Sequence, residues 1–374
     1  MDLVVMSLER WDTVWRRNQH LVAGLLRERP DLRVLFVEPA EDPAYQLLRR
    51  RLPRRGSGLR EVPLSGVVRP GTLMAYQPTK LAPRRLDPRV DERLADKVVR
   101  TATRLGMSRP VLWVNDPLGA EVLRRTGWPA LYDVTDDWLL ASRTSAEQER
   151  LARQESYLLS ECLEVVVCSH DLVRSRSRHR NVRLIPNAVD LAAYRTRRSR
   201  PSDLPTERSA LYVGTLHRDR LDVELCVRTA QEVSGVGRLV MLGPVALDAE
   251  DRERLLASGV VLLGARPVDE VPAYLQHADV LVVPHVVTGF TQSLDPIKAY
   301  EYRAAGRPVV STPVAGFVDH VGGLVTIVDA DDYPRVVRDR LAEPLASVSV
   351  SGVPDWSERV AAMGEVLDTV AAGR

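Results

Sequence analysis

Ser293-Leu-Asp-Pro-Ile-Lys-Ala-Tyr-Glu-Tyr-Arg-Ala-Ala-Gly-Arg-Pro-Val-Val-Ser311 packs a helix start, a helix stop and a strand into one short stretch. Asp295 has the side chain of an N-cap, and Pro296 suits the first helical position, where its missing N–H costs nothing. The helix then runs to Gly306, and Val309-Val310 opens a buried strand behind Pro308. Lys298 and Glu301 stand three apart and share a face. A cation on the first turn, beside free backbone N–H groups and the positive end of the helix dipole, makes that corner attractive to phosphate. A carboxylate one turn on can grip sugar hydroxyls. The plain alternative is a solvated ion pair worth about 0.3–0.5 kcal/mol. Composition weighs against it, because of 52 Lys plus Arg only Lys80, Lys97 and Lys298 are lysine. A compact point charge at this corner suits a phosphate oxygen.

At 374 residues the chain is long for one core and divides naturally into two domains. No apolar run reaches the roughly 18 residues that a membrane span needs. Met1-Asp-Leu-Val-Val-Met-Ser7 is acidic at once and reads as a core strand rather than a secretory leader. Cys162, Cys168 and Cys226 are odd in number and lack metal-ligand spacing, which points to reduced thiols in a cytoplasmic protein with no metal centre. Residues 1–190 carry 32 basic and 25 acidic side chains, so the first half is the basic half. Its densest run, Leu47-Leu-Arg-Arg-Arg-Leu-Pro-Arg-Arg55, reads as a solvated loop or as a contact with an anionic membrane or an anionic acceptor. No aromatic platform or nucleic-acid module accompanies it, which excludes nucleic acid as the expected partner.

Taken in order, strand 3–6, a helix from about Val14 to Glu28 and strand 33–38 make a βαβ opening. The loop Ser7-Leu-Glu-Arg-Trp-Asp-Thr13 falls at the C-terminal end of the first strand, where open parallel sheets place ligands. Trp11, Arg17 and His20 are candidates to line a cleft there and to bind an acceptor, though Trp and His near a helix start also serve as packing. Residues 41–86 read as an irregular excursion with short strands near 60–64 and 72–76, after which helices and strands alternate to residue 169. Leu131-Tyr-Asp-Val-Thr-Asp-Asp-Trp138 sets Asp133, Asp136 and Asp137 at a strand end. Like charges so close raise one another's pKa, so Asp137 or Asp136 is a candidate proton acceptor, against the reading of one as a helix cap and another as a surface group. Pro186-Asn187 ends the first alternation, and a second runs from Ala210 to about residue 342 before a last amphipathic helix at 357–371. The expected fold is α/β, with two doubly wound Rossmann-like domains facing a cleft: residues 1–190, residues 191–354, and a terminal helix, 355–374, packing back on the first domain.

This arrangement resembles the GT-B glycosyltransferases over nearly the whole chain, and within them the retaining, nucleotide-sugar-dependent group 1 (GT4-like) enzymes and their TuaH-like branch. The segments that carry the resemblance include Tyr132-Asp-Val-Thr-Asp-Asp-Trp138, Ile185-Pro-Asn-Ala-Val-Asp190, Tyr212-Val-Gly-Thr-Leu-His-Arg-Asp-Arg-Leu-Asp222, Leu263-Gly-Ala-Arg-Pro267 and Asp295 to Pro308. The resemblance implies a nucleotide-sugar in the second domain and a hydroxyl acceptor in the first, with UDP or GDP as the donor nucleotide and no cofactor. It implies that Glu301 holds the ribose and that Lys298, with the amides around Pro296, holds the diphosphate beside Gly214, and that Arg266 lies near the base. The family's Arg and Lys of Gly-Arg-Leu-x-x-x-Lys fall on Thr215 and Arg220, with Arg218 a possible substitute for the first. Ser293 stands eight residues before Glu301, where the family has a second carboxylate, and the Gly-Gly loop of the first domain is missing. These departures keep two other readings open, a nucleotide-sugar epimerase and a non-catalytic binding scaffold.

Overall fold

The structure, a computed structural model, describes the chain except residues 49–51, 68, 70, 141, 142, 321, 322, 345–350 and 374. The arginines at 49–51 of the basic run therefore lie outside the described residues. The first domain is built on eight strands: β1 (Asp2–Met6), β2 (Arg33–Val37), β3 (Gly58–Glu61), β4 (Leu73–Gln77), β5 (Val111–Val114), β6 (Ala130–Val134), β7 (Glu164–Val167) and β8 (Arg183–Leu184). Their order across the sheet is β3-β4-β2-β1-β5-β6-β7-β8, and only β3 runs antiparallel. The second sheet holds β9 (Ser209–Val213), β10 (Arg238–Leu242), β11 (Val261–Gly264), β12 (Val280–Val283), β13 (Val309–Ser311) and β14 (Val325–Ile327), all parallel, in the order β11-β10-β9-β12-β13-β14. Runs such as Val280-Leu-Val-Val283 are apolar at every position because helices cover both faces of each sheet. The order reverses at β1/β5 and at β9/β12, and such switch points open crevices at the C-terminal ends of strands.

Several elements differ from the sequence reading. The first helix spans Arg17–Glu28, three residues later than expected, because Gln19 Oε1 accepts the Arg16 amide at 3.1 Å and fixes the entry there. The first excursion strand is Gly58–Glu61, slightly earlier than expected. Short helices at His170–Arg176, Leu191–Arg195 and Gly289–Ser293 lack the length for a periodic signal. The opening stretch is also corrected. Pro296 occupies the N-cap and the helix is Ile297–Ala305, while the Asp295 carboxylate is engaged elsewhere. Its Oδ2 accepts the Asn187 amide at 2.5 Å and its Oδ1 accepts the Tyr300 hydroxyl at 2.7 Å. Asp295 thus joins the second domain to the end of the first instead of capping its own helix.

The terminal helix, Trp356–Ala372, returns to the first domain. Trp356, Val360, Met363, Val366, Leu367 and Val370 are buried in one cluster with Leu21, Leu25 and Ile185. At about 1.5–3 kcal/mol per large apolar side chain, that burial is worth on the order of 10 kcal/mol before entropy is subtracted. Arg29 adds a two-pronged ion pair to Asp368, at 2.6 and 2.8 Å. The two chain crossings between domains lie side by side, since Val189 donates to Pro354 and accepts from Trp356. Close approach of the terminal helix rests on Gly24, where an added Cβ would fall 2.3 Å from Val360 Cγ2. Gly24→Ala should therefore lower the thermal midpoint, because overpacking at about 1–3 kcal/mol outweighs the roughly 1 kcal/mol gain in helix propensity. Adding Val360→Ala to that variant should recover part of the loss.

Candidate functional site

The C-terminal ends of the two sheets face each other across a cleft of about 800 Å³. From the first domain it receives Glu9 after β1, Asn115 after β5 and Asp136 after β6. From the second it receives Gly214 and Thr215 after β9, Arg266 and Val268 after β11, and Pro296, Lys298 and Glu301 from the helix start. The walls are already in contact, with the Val268 amide donating to the Thr13 carbonyl at 3.0 Å. Arg220 reaches across to Asp136 at 3.3 Å and lies over the Phe290 ring.

Lys298 is the most constrained group in the cleft. Its Nζ sits 3.9 Å from the centre of the Tyr212 ring and 3.4 Å from His285 Nε2. Among the described residues no carboxylate lies within ion-pair distance of it. Burial, with Arg220 nearby, pushes the ammonium well below the usual lysine range. His285, buried beside Tyr212 Oη at 3.2 Å, is driven well below the ordinary histidine value by burial and then by Lys298, so it is neutral. Gly214 has a φ of +142°, and a Cβ there would stand 2.8 Å from the lysine nitrogen. Only glycine both adopts that backbone and leaves room for the ammonium.

The helix start above Lys298 has no side-chain cap and no acid in its first turn. Among the described residues the amides of Ile297 and Lys298 find no acceptor. Those donors, the helix dipole, Lys298 and Arg220 make one corner that favours an anion. One turn on, Glu301 is pushed up to about 7 by burial, with Lys298 opposing the rise. Arg266 is anchored by its own strand end, donating to the Leu263 and Ala265 carbonyls at 2.8 and 2.9 Å and pairing with Asp203.

Other expected site residues go elsewhere. Asp137 does not line the cleft. It is buried against Arg176, at 2.5 and 3.0 Å, in a cluster completed by Glu155. Asp136 does line it, and burial raises its carboxyl while Arg220 opposes. Arg218 points to Asp251 at 3.1 Å, away from the cleft, because Asp251 in the helix Ala249–Ala257 captures it. Ser293 is buried, with its hydroxyl donating to the Phe290 carbonyl at 2.8 Å. Arg17 lines the cleft but is spent on Asp133, at 3.1–3.3 Å, and on Asn187. His20 stacks on Trp356 with ring centres 4.7 Å apart, and burial lowers it to about 3. Together with Trp11, it lines an adjoining cavity of about 870 Å³ that meets the cleft at Asp12, Trp15, Val268, Ile297 and Glu301.

The sequence reading also passed over groups that matter. Glu9 lines the cleft and is pushed up to about 7, mainly by burial and also by Asp136, against the pull of Arg16 and Arg220. Its only signal was its place in the loop after β1. Tyr212 and His285, the wall around Lys298, carried no local signal at all. Among the described residues no group of three or more His, Cys, Asp or Glu is arranged to hold a metal ion.

The two aspartates at the end of β6 should part company when substituted. Asp137→Asn should cost about 3–5 kcal/mol in a denaturant titration, because it leaves Arg176 partly unpaired in a buried site. Asp136→Asn, with one long contact at the cleft edge, should cost less than about 1 kcal/mol.

Comparison with known proteins agrees with this architecture. Residues 207–345 match the family described as glycosyl transferases group 1. The chain is 21% identical over 329 residues to TuaH of Bacillus subtilis strain 168, provisionally described as a teichuronic acid biosynthesis glycosyltransferase, covering 83% of this chain and 80% of that protein. Among solved structures, sucrose-phosphate synthase from Thermosynechococcus elongatus superposes with a TM-score of 0.67 at 17% identity, covering 100% of both chains. HepE of Anabaena in complex with UDP-glucose gives 0.63 at 15% identity, covering 99% of this chain and 100% of that one. The second domain of this chain is thus similar to the glycosyl transferases group 1 over residues 207–345, and the chain as a whole has the two-domain fold of the GT-B glycosyltransferases.

Proposed function

We propose that this glycosyltransferase moves a sugar from a UDP-type nucleotide-sugar to a hydroxyl acceptor. The observation that carries the reading is Lys298 held out of water, with no carboxylate in ion-pair distance among the described residues, under an uncapped helix start in the cleft between the two sheets. The choice of UDP is supported by HepE with UDP-glucose and by an Escherichia coli protein of the same fold bound with UDP-2-fluoro glucose, which covers 100% of this chain at a TM-score of 0.62.

On this reading the diphosphate lies against Lys298, Arg220 and the amides that follow Pro296, with Gly214 giving the phosphate room. Glu301 accepts the ribose hydroxyls, and the base extends toward Val268 beside Arg266. As the bond to the sugar breaks, negative charge grows on the diphosphate. Cations and dipoles fixed in advance stabilise it more in the transition state than in the ground state. These side-chain cations support a metal-independent reaction. Retention of configuration is proposed with it, the departing phosphate oxygen taking the acceptor proton. Asp136, with Glu9 beside it, is the proton acceptor that an inverting course would use. The acceptor enters from the first domain past Trp15, with Trp11 and His20 walling the adjoining cavity.

Incubating the protein with UDP-sugars and a panel of hydroxyl acceptors, with product anomers read by NMR, tests the reaction. Transfer with the donor's configuration is expected. Turnover of donor to an epimer without acceptor, or tight nucleotide binding with no transfer to any acceptor, would contradict it.

Lys298→Met should abolish donor binding and yet raise stability at neutral pH by about 1 kcal/mol or more. The sign follows from linkage. A lysine whose folded pKa is depressed binds more protons unfolded than folded, so it destabilises the fold at pH values below its unfolded pKa.

Uridine, which lacks phosphate, isolates the ribose contact. Its affinity should rise as pH climbs through about 7, where Glu301 ionises and gains a second strong acceptor oxygen. Glu301→Gln should flatten that limb, whereas Glu9→Gln should leave it in place.

A further inference from the structure

Two excursions of the first domain leave the same edge of the sheet. Glu41 bridges Thr79, the Lys80 amide donates to the Glu41 carbonyl at 2.7 Å, and the Lys80 ammonium pairs with Asp42 at 2.6 Å. The chain beyond residue 42 and the chain beyond residue 80 therefore start side by side. The first excursion also returns there, since the Gly56 amide donates to Thr79 Oγ1 at 2.8 Å. This edge follows β2 and β4, at the same C-terminal side of the sheet as the cleft residues after β1 and β6.

The helix Pro43–Leu48 in the first excursion buries none of its residues. Leu47, Leu48 and Leu52 are 60%, 80% and 85% exposed, and Leu81 and Leu86 of the second excursion are each 80% exposed. A single exposed leucine needs no explanation, but five on two adjoining excursions make a patch that a monomer in water gains nothing by keeping. Arg54, Arg55, Arg85 and Arg89 are exposed on the same two excursions, and among the described residues none of them is paired with a carboxylate. The acids nearby are already engaged: Glu41 by Arg10, Asp42 by Lys80, Asp87 by Arg93 and Asp91 by Arg84. The surface is thus apolar at its tips and positive without compensation around them.

We infer that this surface docks the first domain on an anionic lipid bilayer, the leucines entering the acyl boundary and the four arginines meeting lipid phosphates. Apolar insertion and attraction to anionic headgroups each add to such binding, and both are needed for a reversible contact to persist. A second copy of the chain is a poor occupant, because it would set the unpaired arginines against their own kind. Docking at this rim turns the acceptor side of the cleft toward the membrane surface, but the binding itself does not depend on the proposed reaction.

Co-sedimentation of the full chain with vesicles tests the inference. The protein should pellet with vesicles of phosphatidylcholine mixed with phosphatidylglycerol, stay in solution with phosphatidylcholine alone, and be released as salt is raised. Two variants separate the contributions: Arg54→Glu with Arg55→Glu, Arg85→Glu and Arg89→Glu, and Leu48→Ser with Leu52→Ser, Leu81→Ser and Leu86→Ser. Each should weaken vesicle binding by at least about tenfold with the thermal midpoint unchanged, since the side chains touch little of the fold. Wild-type protein that ignores the anionic vesicles, or binding that both variants retain, overturns the inference. So does a concentration-dependent dimer in light scattering that the leucine variant abolishes.

Discussion

One buried ammonium organises the second domain's share of the cleft. Lys298 is held against the Tyr212 ring and the neutral His285, over the bare backbone of Gly214, with no carboxylate within ion-pair distance among the described residues. A buried cation left in this state costs stability, which the Tyr212 ring and the charge of Glu301 offset only in part. The missing cap and the missing acid at the start of Ile297–Ala305 point the same way, since a carboxylate there would have satisfied the helix and neutralised the lysine together. Departures from local consistency gather where function needs them, and here three of them meet at one corner. The proposed donor role follows from that concentration of unmet positive charge.

Around this corner the two domains are tied by a chain of polar contacts, with small apolar contacts of Trp138 on Phe290 and of Ile297 on the first-domain core beside it. Asp133 holds Arg17, Arg17 holds Asn187, and Asn187 donates to Asp295, whose other oxygen takes Tyr300. That chain runs from the end of β6 to the helix that carries Lys298 and Glu301. Ser169 Oγ donates to the Ser293 carbonyl at 2.8 Å and fastens the preceding turn to the first domain. Hydrogen bonds of this kind are directional, so they fix the register of the cleft walls, while the four large apolar clusters lie mainly within one domain or under the returning terminal helix and only small apolar contacts cross, Trp138 on Phe290 and Leu294, and Ile297 on the first-domain core. Arg220 belongs to the same scheme from the other side, shared between Asp136 and the corner it would serve.

Much of the fold could be read from the chain, because runs such as Leu3-Val-Val-Met6 and Val280-Leu-Val-Val283 state buried parallel strands by themselves. Lys298, Glu301 and Pro296 could be picked out because they share one local pattern of helix start and following strand, whereas Gly214 was named through the family resemblance of its segment. What escaped was set by partners distant in sequence. Asp295 looks like a cap until Asn187 claims its carboxylate, and Asp137 looks equal to Asp136 until Arg176 takes it out of the cleft. Arg218 and Ser293 carry the right chemistry but are captured by Asp251 and by the Phe290 carbonyl. Glu9 gains its meaning only when the two sheets are brought face to face, and Tyr212 and His285 only when the ends of β9 and β12 meet the helix Ile297–Ala305.

The central claim is that the corner built on Lys298 holds a diphosphate. Calorimetric titration of UDP and of uridine into the wild-type protein and into Lys298→Met tests it directly, because only UDP carries the phosphates that this corner would meet. The account predicts that UDP binds the wild-type protein far more tightly than uridine does, and that Lys298→Met removes most of that difference while leaving uridine binding in place. UDP that binds no more tightly than uridine, or an advantage of UDP that survives in Lys298→Met, would contradict it.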